Sequence, residues 1–254
     1  MKKWIVLSCF IGLEVHAASL GTYRIYLDSE HRQEKFIVKN SNAIPEKCDV
    51  SFSYMAYDDK AGVKKLTANE QAVLSQPAIS HLRFSPKKFT IEPKSFQYIA
   101  FTYRRQINDE PAEHRTYANI QCVQLDERAK KGVNLKPTIM HSVPLVIRTG
   151  KPQDLNANLN FSHVEQQQDT IYFRLSHTGN RSVYGDIKLV SEEGKELKVL
   201  QRNVVIYPEM KYKDFSFSLA SAGETLSKKL KIVFQETGVY SAKKQFELPI
   251  EEVL

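Results

Sequence analysis

Long hydrophobic runs are scarce in this chain. Beyond its N-terminus no segment approaches the roughly 20 apolar residues of a membrane-spanning helix, which excludes a bundle of such helices. Catalytic signatures are missing too. There is no GxSxG, no HExxH, no P-loop and no GxGxxG. The histidines beyond the N-terminal segment are His31, His81, His114, His141, His163 and His177, and no two lie four apart as a helical metal pair would. Asp58-Asp59 and Asp109-Glu110 read as turn residues, not as a paired acid and base. Cysteine is sparse, with three in all and no CxxC, so nothing suggests thiol redox catalysis. Basic residues occur in scattered pairs (Lys64-Lys65, Lys87-Lys88, Arg104-Arg105, Lys130-Lys131, Lys228-Lys229), without the block or aromatic-basic motif of a nucleic-acid binder. Together these absences point away from an enzyme, from cofactors and metals, and from nucleic acid.

The first residues read MKKWIVLSCFIGLEVHAAS. Lys2 and Lys3 form a basic start, Trp4 to Leu13 an apolar region, and Val15-His16-Ala17 a small-x-Ala cleavage pattern. This is the layout of a signal peptide over residues 1–17, with a mature chain from Ala18. The formal charge of +7 falls by one when Lys2, Lys3 and Glu14 are removed. Cys48 and Cys122 remain. In an oxidising compartment two cysteines suggest one disulfide. It would tie the strand that Cys48 precedes to the strand containing Cys122.

The pattern beyond is strand-rich. Aromatic and β-branched residues dominate runs at Thr22–Asp28, Glu34–Asn40, Asp49–Tyr57, His81–Phe84, Lys88–Glu92, Phe96–Tyr103 and Thr116–Gln124. Within Phe96–Tyr103 the alternation sets Phe96, Tyr98 and Ala100 against Gln97 and Thr102, with Ile99 and Phe101 blurring it. One stretch differs: Thr67-Ala68-Asn69-Glu70 has capping-box spacing and predicts a short helix through Leu74. Thr149-Gly150-Lys151-Pro152 interrupts pairing and divides the chain into domains 18–149 and 150–254. Seven further strands follow, at Ala157–His163, Thr170–Ser176, Val183–Val190, Arg202–Tyr207, Tyr212–Leu219, Lys229–Gln235 and Ala242–Pro249. Some seven short strands per domain, with turn signals between them, predict an all-β chain of two immunoglobulin-like sandwiches.

The most informative stretch is VNLKPTIMHSVPLVI, from Val133 to Ile147. Val133, Leu135, Ile139, Val143, Leu145 and Ile147 share one parity, while Asn134, Lys136, Thr138 and Ser142 share the other. That is a long half-buried strand. Pro137 removes a hydrogen-bond donor at its centre and so places it at a sheet edge. An apolar edge is normally an aggregation hazard. Either something covers it or presenting it is the protein's work.

Several stretches, in this order and spacing, carry a family likeness: Arg24–Asp28 with Phe36–Asn40, Phe84–Pro93, Val143–Arg148, and more weakly Leu175–Arg181 with Val205–Pro208. They resemble the PapD-like periplasmic pilus assembly chaperones of the chaperone–usher pathway, as a divergent branch. The resemblance implies two immunoglobulin-like domains set as a boomerang. It also implies a periplasmic protein that holds incomplete pilus or fimbrial subunits by donor-strand complementation and delivers them to an outer-membrane usher. Val133, Leu135, Pro137 and Ile139 would then enter the subunit's groove, while Val143, Leu145 and Ile147 pack at home. Arg24 matches the family's cleft arginine, whose planar fork anchors the subunit's C-terminal carboxylate. The family's companion lysine is replaced here by Pro144, with Lys136 and His141 as possible substitutes. Arg148 matches an interdomain salt-bridge arginine, with Glu113 as a candidate partner. Self-association of the free protein is a further way to cover the edge. The alternative reading is a secreted structural or adhesive sandwich protein.

Overall fold

The computed structural model describes residues 19–20, 24–107, 109–125, 138–218, 230–237 and 245–250. The expected signal peptide, residues 1–17, lies outside them, as do Val133, Leu135, Lys136 and Pro137.

The first half contains β1 (Ser19–Leu20), β2 (Ile25–Leu27), β3 (Gln33–Lys39), β4 (Glu46–Ser53), β5 (Ala56–Tyr57), β6 (Val63–Lys64), α1 (Ala68–Ser80), β7 (Leu82–Ser85), β8 (Lys88–Ile91), β9 (Phe96–Tyr103), β10 (Glu113–Gln124) and β11 (Ile139–Arg148). One sheet runs β1-β3-β9-β7 and the other β2-β11-β10-β4-β8. Between them Phe36, Val38, Ile99, Phe101, Ala118, Ile120, Val143, Leu145 and Ile147 form a single buried core. Each strand supplies alternate residues to it, as period-2 geometry requires. In β9 the residues that blur the alternation, Ile99 and Phe101, are the ones that face the core. Ile99, Phe101 and Tyr103 are buried, and Phe96 and Tyr98 stand exposed. With aromatic and aliphatic residues at both parities, the pattern does not say which set faces in.

The second half contains β12 (Ala157–Gln167), β13 (Thr170–Gly179), β14 (Val183–Ser191), β15 (Glu196–Ile206), β16 (Tyr212–Ser218), β17 (Leu230–Glu236) and β18 (Gln245–Ile250). Sheets β12-β13-β16 and β15-β14-β17-β18 enclose a second core that includes Ile171, Phe173, Leu175, Ile187, Leu189, Ile206 and Phe234. The chain is thus an all-β pair of sandwiches. It crosses between them at Thr149–Gly150. Thr149 N–H donates to the Ala112 carbonyl at 2.9 Å. Gly150 sits at φ 75°, where a Cβ would lie 2.7 Å from the Pro111 Cα, so only glycine fits without strain.

Helix α1 starts at the predicted capping box. Thr67 N–H donates to Glu70 Oε2 at 2.7 Å, and Glu70 N–H donates to Thr67 Oγ1 at 3.3 Å. It runs to Ser80, beyond the predicted end at Leu74, and carries Pro77 within it. Its buried residues, Ser75 and Ala78, belong to a face packed on β10 and β4. Packing therefore extends a helix that a proline signal would have closed earlier. The β5–β6 hairpin, missed in part by the strand pattern, reaches the other sandwich. Tyr57 and Ala61 pack against the second core, the Tyr212 N–H donates to the Asp59 carbonyl at 3.0 Å, and Lys211 meets Asp59 at 2.8 Å.

Candidate functional site: an edge strand leading into an interdomain cleft

β11 pairs with β10 along its whole length, from Cys122 opposite Ile139 to Glu113 opposite Arg148. On its other side β2 pairs in parallel, but only from Leu145 to Ile147. Among the described residues no strand covers that side from Ile139 to Pro144. Val143, Leu145 and Ile147 are in the core, whereas Ile139 is 39% exposed and Met140 53%. Cys48 now lies inside β4 rather than ahead of it, directly opposite Cys122. The two form a disulfide with Cα atoms 4.1 Å apart. It lies at the same end of the sheet as Ile139.

At its other end β11 enters a small, partly open cleft between the sandwiches. Alternation decides what lines it. Ile25 and Leu27 of β2 face the core, and Tyr26 between them faces the cleft. Leu145 and Ile147 face the core, and Val146 and Arg148 face the cleft. Arg24, Arg181, Ser182, Tyr184, Glu236 and Thr237 complete the wall. Leu145 pairs with Ile25, so Pro144 is the β11 residue beside Arg24. The position that the resemblance assigns to a lysine thus adjoins the arginine but carries no charge.

Arg148 and Arg181 each meet a carboxylate. Arg148 Nε donates to Glu113 Oε2 at 2.9 Å, and its Nη2 donates to the Ser182 carbonyl at 3.1 Å. Both oxygens of Glu113 accept from the Ser182 N–H at 3.0 Å. The pair joins neighbouring strands of one sandwich and reaches the other through a backbone. Burial opposes the Arg148 charge, but Glu113 and Tyr26 more than offset it and hold its pKa above the ordinary value. Burial holds the Tyr26 phenol well above its ordinary pKa. Arg181 Nη1 donates to Glu236 Oε1 at 2.6 Å, with both residues almost fully buried. The Arg24 guanidinium lies 4.8 Å from the centre of the Tyr184 ring.

A second contact between the sandwiches is aromatic. The Arg115 guanidinium lies 3.6 Å over Tyr207 and 5.0 Å over Tyr54. It donates to the Met55 carbonyl at 3.0 Å and pairs with Glu209. The Tyr57, Tyr117 and Tyr207 hydroxyls follow one another at 3.1 and 3.4 Å. Burial, with Tyr207 alongside, pushes the Tyr117 phenol well up. Sequence reasoning missed Arg115, Glu209, Arg181, Glu236 and Tyr184. Arg115 and Glu209 are 94 positions apart, and no local spacing links them.

The sequence matches no family model and no curated protein. Solved structures do match in shape. The YadV chaperone aligns over 92% of this chain and 99% of its own, at 12% identity and a TM-score of 0.50. This chain has that chaperone's fold. The class 5 fimbriae chaperone CfaA aligns over 93% of this chain and 100% of its own, at 12% identity and a TM-score of 0.49. The CsuC–CsuE chaperone–tip subunit pre-assembly complex of Acinetobacter baumannii aligns over 92% of this chain and 98% of the matched chain, at 12% identity and a TM-score of 0.47.

Proposed function

We propose that this chain is a periplasmic chaperone of the PapD-like kind. It captures pilus or fimbrial subunits by lending them the edge of β11 and hands them to an outer-membrane usher. The observation that carries the reading is the side of β11 that, among the described residues, no strand pairs from Ile139 to Pro144 and that leads to Arg24. An extended segment with its carboxylate at Arg24 would run along that edge by backbone pairing, a known mode of strand addition. At about 3.4 Å per residue, the edge gives such a segment some 17 Å of ladder before Ile139. Val133, Leu135 and Pro137 would continue the donated strand with Ile139, placing alternate side chains in the subunit's groove. Arg24 sets the register of the captured terminus. Arg148 and Glu113 hold the relation between the domains, and the Cys48–Cys122 disulfide braces the strands behind the donor edge. The work is binding and exchange, driven by completion of the subunit's fold, so it needs neither catalysis nor a cofactor.

A periplasmic pull-down tests this. A small all-β subunit should co-purify one-to-one with the wild type, and capture should fall sharply with Arg24→Ala and with Leu135→Glu. Recovery of no subunit by wild type, in cells shown to express candidate subunits, would overturn the reading in favour of a structural or adhesive sandwich protein.

A further inference from the structure

The sheet β1-β3-β9-β7 supplies neither the donor edge nor the cleft wall, and its outward face has a chemistry of its own. Residues between the core positions of its strands point away from the sandwich. They include Lys35, Ile37 and Lys39 of β3, Arg83 of β7, and Phe96 and Tyr98 of β9. Pairing sets Tyr98 opposite Ile37 and Phe96 opposite Lys39, with Lys35 one step along the same face, opposite Ala100. Phe96 is 53% exposed and Tyr98 44%, and their rings meet edge to face at 5.2 Å. The strands β3, β7 and β9 contain one acid, Glu34, and its parity is the inward one. Among the described residues no carboxylate pairs with Lys35, Lys39 or Arg83. The face is thus aromatic and basic, with no acid among its outward positions.

We propose that this face docks on an anionic phospholipid surface, with Phe96 and Tyr98 at headgroup depth and Lys35, Lys39 and Arg83 on the lipid phosphates. Charge complementarity chooses the occupant. Three cations without an outward acid, in a chain of formal charge +7, fit a surface of fixed negative charge. The aromatic pair narrows the choice further. A single exposed ring needs no explanation, but two rings in contact beside lysines suit the membrane–water boundary. There a ring buries its apolar body and keeps its polar tip wet. A lysine lays its methylene stem along the same apolar surface and sends its ammonium to the phosphates. The outward face of a sheet can meet a membrane plane without needing a groove. The contact is separate from the subunit reading, because β11 belongs to the other sheet and takes no part in it. A docked molecule therefore keeps its donor edge available.

The test is co-sedimentation of the chain from Ala18 with vesicles of phosphatidylcholine alone or with one third phosphatidylglycerol. The wild type should bind the anionic vesicles, not the neutral ones, and release as salt is raised. A cation at such a surface is worth about five-fold in partitioning, so the double variant Lys35→Gln, Lys39→Gln should bind about 25-fold more weakly. Lys64→Gln with Lys65→Gln removes the same charge from exposed positions of the β5–β6 hairpin and should bind nearly as well as the wild type. Equal losses in the two double variants would overturn the proposal, because net charge alone would then explain binding. Phe96→Trp supplies a reporter, since Trp4 is the only tryptophan and lies ahead of Ala18. Its emission should shift to the blue with anionic vesicles. Binding without that shift would overturn the proposal by placing the ring outside the headgroups. A wild type that ignores anionic vesicles but binds a polyglutamate peptide would assign the face to an acidic protein instead. Binding to neither would leave the face without an anionic partner and end the proposal.

Discussion

The two halves of β11 share one hydrophobic rhythm and have different fates. In the inner half Val143 is 3% exposed, and Leu145 and Ile147 not at all. In the outer half Ile139 keeps the same parity yet is 39% exposed. The difference lies in what packs on the face. β10 flanks both halves and β2 only Leu145–Ile147, yet Val143 too is buried, in one core with Phe36, Val38, Ile99 and Phe101. Alternation in a sequence marks which face of a strand is apolar. It does not say what will cover that face, because the covering residues belong to the opposite sheet, from strands distant in the sequence.

The sharpest way to break the comparison is to shorten the same kind of side chain in each half. Leu145→Ala opens a cavity in a filled core and should cost about 2–5 kcal/mol of unfolding free energy. Ile139→Ala removes contacts already shared with solvent and should cost less than about 1 kcal/mol. Equilibrium urea unfolding of the two variants decides this. Equal losses would mean that the outer half is as much core as the inner, which is incompatible with a donor edge.

The next effect concerns what holds the outer half in place. At Ile139 the sheet is braced through Cys122 to Cys48, a bridge spanning 74 positions. Replacing both cysteines by serine should lower stability by about 2–4 kcal/mol. Local opening should then show first as faster amide exchange at Cys122–Gln124 and Ile139–His141, with the inner half still protected. Uniform loss of protection along β11 would show that the two halves do not open separately.

Much of the fold was legible from local pattern. Strand positions, the start of α1 and the pairing of the two cysteines all follow from alternation, capping chemistry and compartment. The site was legible only in pieces. Arg24, Arg148 and Glu113 could be singled out because a resemblance assigned roles to their positions. Tyr184 and Arg115 could not, since their meaning comes from partners in the other sandwich. In β9 both parities are apolar, so the inward face was settled by packing. The helix outran its predicted end for the same reason: burial of Ala78 against β10 and β4 outweighs the local signal of Pro77.

The smallest effect is a pH dependence seated against the inner half. His114 of β10 lies opposite Ile147 and stacks on His81 at 4.9 Å. Burial, with the second imidazole alongside, lowers the His114 pKa below 6.5. The folded state therefore prefers the neutral ring, and the unfolded chain binds the proton more readily. This contribution to stability is present above pH 6.5 and is lost as the pH falls below it. His177 in the second sandwich, also lowered by burial, acts in the same direction. The urea midpoint of the wild type should thus decline between pH 7 and pH 5, and His114→Gln should flatten part of that decline. Parallel profiles for the two proteins would show that the stacked pair does not set the pH response, and that the inner half owes its stability to packing and pairing alone.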